Sequence, residues 1–232
     1  MGPTARTATG QWAPRPGWEL VATLDDEPGT WVAGAWMSED EPGVEPIPFE
    51  LEAGALRLSG PRALVLAFAR CPWRESLRIE ADLTLHAGVS VGFYFDTPRR
   101  PSGYVNQPFF GTLLKFGGVT TDHGQLRPNA GEERLRFVAP PFVAGARTRL
   151  AMELDDGFVT AFRDGKQVVR LPRPETEHGA GPYFGLNAWD ADLTVHRIGV
   201  WRRIGSATAA IPLERPAPER PRRPAAIPGG VY

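Results

Sequence analysis

Residues 77–85 alternate without a break: Leu77, Ile79, Ala81, Leu83 and Leu85 are apolar, and Arg78, Glu80, Asp82 and Thr84 between them are polar. A period of two places the two sets on opposite faces of an extended strand, one dry and one polar, and no helix can hold it. The alternation resumes at Val89, Val91, Phe93 and Phe95, with Ser90, Gly92, Tyr94 and Asp96 between and after them, and again at Leu150, Met152 and Leu154. Asp155-Asp156-Gly157 and Asp164-Gly165 supply tight turns, so 149–171 is predicted as a three-strand meander. In the last apolar run Leu193 and Val195 share one parity and Ile198 and Val200 the other. That slip predicts a strand over 193–203 with a β-bulge near His196 or Arg197. No stretch has a period of 3.6, and the 26 Gly and 24 Pro interrupt every segment where a helix might start. The expected fold is all-β, a two-sheet antiparallel jelly-roll sandwich.

Composition marks the boundaries. The 232 residues are 42% hydrophobic and 23% charged, ordinary for a soluble globular chain. Residues 1–17 are polar and read as a flexible arm, 18–204 carry the large apolar residues and read as the domain, and 205–232 hold six prolines. That last segment is expected to be a disordered or extended Pro/Arg-rich tail, able to dock a protein partner through Ile211, Leu213, Ile227, Val231 and Tyr232. The net charge of −1 gives no basis for nucleic-acid or membrane binding. Of the basic residues only Lys115 and Lys166 are lysine; the arginines are scattered and read as solvated surface. A single cysteine, Cys71, excludes an intramolecular disulfide and a cysteine-type zinc site. With no signal-like apolar segment near the start, the default expectation is a cytoplasmic protein.

The order of segments resembles the concanavalin A-like lectin/glucanase jelly roll, nearest to the bacterial 3-keto-disaccharide hydrolase domains. Four stretches carry the likeness. In 49–58 a short acidic lead precedes Gly54 and Leu56; 77–85 is followed by Gly92-Phe-Tyr-Phe95; 162–168 forms a hairpin with Asp164-Gly165 at its tip; and Gly181-Pro-Tyr-Phe-Gly-Leu186 runs on to Val195–Val200. Two positions depart from that family: Ala146-Arg-Thr-Arg149 stands where a Trp usually opens the meander, and His196-Arg197 replace a Phe and an Asn.

The resemblance to glucanases directs attention to Glu80 and Asp82. Those enzymes carry Glu-x-Asp-x-Glu on one strand, where retaining hydrolysis needs two carboxylates close together. Here the third place is Thr84, so the set is incomplete. Glu80, Asp82 and Asp96 remain candidate acid/base residues, against the alternative that Glu80 and Asp82 lie on a solvated or Arg-paired strand face. Asp122-His123 reads as a turn or as a base or metal site, and there is no HExxH motif. No cofactor motif is present. Ca²⁺ is the one ion the jelly-roll likeness admits, with Asp190 and Asp192 as candidate ligands and Asp25, Asp26 and Glu27 as further oxygen donors.

Aromatic and amide groups form the stronger pattern. Sugars have apolar C–H faces and polar rims, so their sites combine aromatic platforms with amides or carboxylates. Tyr94, Asp96, Tyr104, Lys115, Asn187 and Trp189 are the candidate ligand-binding set. The functional expectation is a carbohydrate-binding or recognition domain without catalysis. The alternatives are a glycoside hydrolase resembling the 3-keto-disaccharide hydrolases and a structural adaptor that docks a partner through its tail.

Overall fold

The computed structural model describes residues 12–24, 31–36, 44–47, 51–68, 76–97, 112–128, 135–155, 157–174 and 183–205, with backbone alone for 31–36, 44–47, 61–68, 97, 128 and 183. Tyr104, Cys71, His178, Asp25, Asp26, Glu27, residues 1–11 and residues 206–232 lie outside them.

Every regular element among the described residues is a strand. In chain order they are β1 (Trp18–Thr23), β2 (Trp31–Trp36), β3 (Val44–Ile47), β4 (Leu51–Glu52), β5 (Ala55–Phe68), β6 (Leu77–Thr97) and β7 (Thr112–Lys115). They continue with β8 (His123–Pro128), β9 (Leu135–Val138), β10 (Arg147–Asp155), β11 (Phe158–Arg163), β12 (Lys166–Pro172) and β13 (Tyr183–Arg203). All pairings are antiparallel, and the main path runs β12-β11-β10-β6-β13-β5-β2-β3 without closing. Pro46 sits in β3, at the end of that path, where a missing N–H removes no central ladder bond.

Two strands are far longer than the sequence pattern suggested. β6 and β13 each have 21 residues. Straight, such a strand would span about 70 Å, several times the radius of a domain this size. The pair therefore bends at its middle, where Gly88 has φ 146° and faces Ala191, next to Asp190 at φ 44°. A Cβ on Gly88 would come within 2.9 Å of the Ala191 Cβ, so this close crossing needs glycine.

The bend makes two layers from one hydrogen-bonded network. The first halves of β6 and β10–β12 form one layer; the second half of β6, with β7–β9, belongs to the other. The odd positions of β6 lie inside on both sides of the bend, where Leu77, Ile79, Ala81, Leu83, Leu85, Val91, Phe93 and Phe95 join one core with Met152, Leu114, Leu126 and Leu186; at the bend itself Ala87 and Val89 are exposed. The meander expected at 149–171 is present as β10–β12. The register shift expected near His196 falls between Val195 and Arg197.

The expected arm lies mostly outside the described residues, but its last part, 12–17, lies against the sheet. Trp12 meets Trp201 edge-on at 5.0 Å between ring centroids, over Gly199, where a Cβ would approach the Trp12 ring nitrogen to 2.9 Å.

Candidate functional site

The even face of β6's first half was read as polar, and it is polar without being wet. Arg78, Glu80, Asp82 and Thr84 are all buried. The register explains this. Asp82 lies between Arg149 of β10 and Arg197 of β13, while Glu80 lies between Ala151 and Gly199, whose small size leaves room for arginines to reach in. Both carboxylates are paired with arginine rather than solvated.

The pairing is dense. Asp82 Oδ1 accepts a hydrogen bond from Arg149 Nε at 2.7 Å. Its Oδ2 accepts from Arg147 Nη2 at 3.2 Å and from Arg197 Nε at 2.9 Å, with Arg197 Nη2 also donating. Glu80 Oε2 accepts from Arg15 Nη2 at 2.7 Å and from Arg78 Nε and Nη2 at 3.1 and 2.9 Å. Arg149 Nε is also 3.4 Å from Glu80 Oε1, and Arg78 reaches on to Glu153 at 3.2 Å. Burial alone would raise the Asp82 pKa, but the hydrogen bonds from Arg149 and Arg197 outweigh it and hold the carboxyl below its ordinary value.

The bulge in β13 completes the site. By inserting one residue it turns both His196 and Arg197 away from the core, while Val195 and Ile198 on either side stay buried in it. His196 Nε2 shares a 2.8 Å hydrogen bond with Thr84 Oγ1, and Arg197 lies over the Trp12 ring at 4.4 Å. Above this floor opens a cleft of about 730 Å³, lined by Asp82, Arg147, Arg149, Asp164, His196 and Arg197 among others. Asp164, at φ 51° in the β11–β12 turn, accepts from the Arg149 backbone N–H at 2.8 Å and so fixes the cleft wall. Burial lowers the His196 pKa, the nearby Arg147 guanidinium lowers it further, and Asp82 opposes them.

Acid should therefore weaken the domain in two stages. The folded His196 value lies below its ordinary 6.5, so unfolded chains take up the proton first; stability is full above that pH and falls as pH drops toward the folded value. Asp82 is likewise depressed from 3.8, and its contribution is lost as pH falls from there through its folded value. Urea midpoints measured against pH should show both stages, and His196→Gln should remove the first. A midpoint that does not change on acidification contradicts this account.

The aromatic and amide set falls elsewhere, on the even face of β6's second half. Gly92 pairs with both Lys115 and Asn187, Tyr94 with Leu113 and Gly185, and Trp189 with Ser90, so the register brings Tyr94, Lys115, Asn187 and Trp189 onto one face. Within it Tyr94, Asn187 and Ser90 are buried, and burial raises the Tyr94 pKa well above its ordinary value. Asp96, at φ 57°, is gripped by both Nε and Nη2 of Arg173. Trp189 is 39% exposed, the open aromatic among the described residues of this set. Tyr104 lies outside the described residues.

The metal candidates do not assemble. Asp192 Oδ2 accepts from Arg57 at 2.7 Å, an ion pair in the place of a metal contact, and Asp190 is exposed. Among the described residues no group of three His, Cys, Asp or Glu could hold an ion, whereas Ca²⁺ takes six or more oxygens. Asp25, Asp26 and Glu27, the further oxygen donors named for Ca²⁺, lie outside the described residues. His123 and Asp122 are exposed neighbours 3.4 Å apart, and His86 is hydrogen-bonded to Thr194. No described helix is long and apolar enough to cross a membrane.

The cleft residues Arg147, Arg149 and His196 were not among the expected ligand-binding residues, nor was Arg197 beyond its place in the bulge. Two signals pointed at them: Arg147 and Arg149 share a parity at the start of β10, and the phase slip falls on His196-Arg197.

The sequence matches no protein-family model and no curated protein. Solved structures do match. A laminarinase from Rhodothermus marinus aligns with a TM-score of 0.57 at 17% identity, over 81% of this chain and 98% of that one. The exoplasmic/lumenal domain of VIP36, in a Ca²⁺- and Man3GlcNAc-bound form, aligns with a TM-score of 0.56 at 14% identity, over 82% and 92% of the two chains. A Bacillus subtilis protein with a galectin-like fold aligns at 0.51 and 13% identity, over 79% and 97%. These likenesses show the fold, an antiparallel β jelly roll shared with those structures.

Proposed function

We propose that this domain binds carbohydrate and does not hydrolyse it. The fold likeness to a sugar-bound VIP36 domain and a laminarinase supports the ligand class. The observation that carries the non-catalytic half is the state of Glu80 and Asp82. A glycoside hydrolase needs one carboxyl that holds its proton near neutral pH and another free to attack or to activate water. Asp82 takes hydrogen bonds from three arginines and Glu80 from two, with Arg149 also beside it, and the Asp82 pKa is depressed rather than raised. The third position of the glucanase set, Thr84, is engaged by His196. The Arg-lined cleft is the ligand site of this reading. Exposed Trp189 favours a second face, where its ring would stack on a sugar.

A glycan panel with the wild-type chain tests the proposal, together with turnover assays on β-glucans and keto-glycosides. Binding without turnover is the expected result. If the second face carries the ligand, Trp189→Ala weakens binding by about 1–3 kcal/mol, the scale of an aromatic anchor. If the cleft carries it, that variant binds normally and Arg149→Ala does not. Turnover that disappears in Glu80→Gln would overturn the non-catalytic reading in favour of a hydrolase.

A further inference from the structure

We propose that the cleft selects an acidic carbohydrate, a sugar bearing a carboxylate or sulfate group that Arg147 and Arg149 clamp between them. The inference rests on the carbohydrate-binding reading and names its ligand class. Its basis is an imbalance of donors and acceptors. Both Asp82 oxygens already accept from guanidinium groups. Asp164 turns one oxygen to the Arg149 backbone N–H, while the other stands 3.9 Å from Arg163. Nε2 of His196 is tied to Thr84. Asp82, the carboxylate at the cleft floor, is thus committed to the protein, and Asp164 through one oxygen.

Its donors are not used up. Each guanidinium carries five N–H bonds. Arg147 directs one nitrogen, Nη2, at Asp82, and Arg149 directs Nε at Asp82 and Glu80. Their side chains remain 55% and 46% exposed, so the outer edges of both forks face the cleft mouth. A neutral sugar's hydroxyls both donate and accept, and would meet a wall rich in donors and poor in acceptors. Carboxylate and sulfate only accept, and the planar carboxylate matches an arginine fork with two parallel bonds. Charge agrees: three arginines line the cleft against two carboxylates, and one of these, Asp82, is buried at its floor. Size agrees too: about 730 Å³ is the volume of a site for a small organic ligand.

Calorimetry on the full chain with matched pairs decides this. One pair is a galacturonate trimer and the same trimer with its carboxylates reduced to alcohols; the other is a sulfated galactan oligomer and its desulfated form. Inorganic phosphate is the bare-anion probe. The acidic member of at least one pair should bind about tenfold tighter or better than its neutral partner, and lose that advantage as salt is raised. Arg147→Gln should weaken acidic binding about tenfold, the scale of one charge-assisted hydrogen bond. Asp82 keeps two other arginines in that variant, so its fold should survive; Arg149→Gln provides a second test. Neutral and acidic partners binding equally, or Arg147→Gln and Arg149→Gln leaving acidic binding unchanged, would overturn the acidic preference while leaving carbohydrate binding standing. Phosphate binding as tightly as the trimer would also overturn it. Failure of every sugar to bind would remove the carbohydrate reading itself.

Discussion

Replacing Asp82 by Ala should destabilise the domain by about 3–5 kcal/mol, the cost of stripping one partner from a buried ion pair. Asp82 is the carboxylate on which Arg147, Arg149 and Arg197 converge. Without it the three guanidinium groups repel one another with no carboxylate between them, and Arg149 retains Glu80 at 3.4 Å. Urea unfolding measures the loss directly as a lower midpoint with an unchanged slope. High salt should restore part of the midpoint in the variant, because ions screen the exposed Arg147 and Arg149. Asp82→Asn should behave similarly, since it preserves shape and removes charge. A midpoint within about 0.5 kcal/mol of wild type, the level of ordinary surface substitutions, would mean that the network contributes specificity rather than stability.

Gly92→Ala is the second large effect, and its cause is steric. A Cβ at Gly92 would stand 1.9 Å from the Leu114 carbonyl oxygen and 2.8 Å from the Lys115 Cα. Both obstacles are backbone, so no rotamer change relieves them. β6 and β7 must separate, and the separation opens the core behind them at Phe93, Leu114 and Phe116. The expected cost is about 3 kcal/mol or more, the upper end for overpacking. Gly145→Ala is the control. Gly145 has φ 76° but nothing within 4 Å of a new Cβ, so only left-handed strain of about 1–2 kcal/mol applies. Equal thermal shifts in the two variants would show that the β6–β7 contact yields more readily than a packed ladder should.

Neither effect could be foreseen from local pattern, although much of the fold could. Alternation over 77–85 placed Leu77 to Leu85 in a core, and in the structure all five are buried. The parity change between Val195 and Ile198 located the bulge because a strand has only two faces, and one added residue must exchange them. The hairpin at Asp164-Gly165 was legible because both residues take positive φ there. The single bent strand β6 was not: Ala87 and Gly88 interrupt the alternation, and the pattern alone cannot distinguish a turn from a bend that keeps its hydrogen bonds.

The candidate site divides the same way. Glu80 and Asp82 were visible as a same-face pair, and Tyr94, Lys115, Asn187 and Trp189 as residues of compatible parity. Their surroundings were not visible. Arginines read as scattered surface converge because β10 and β13 flank β6, bringing Arg149 and Arg197 beside Asp82 from 67 and 115 residues away. The sequence by itself determined which side chains point to the core and which point away, because that direction is a property of each strand's own backbone. Which polar groups meet, and therefore that two candidate catalytic carboxylates are tied up by arginine, was decided only when separate strands came into register. Pairing between distant strands is set by the packing of the whole core, and no local stretch of sequence records it.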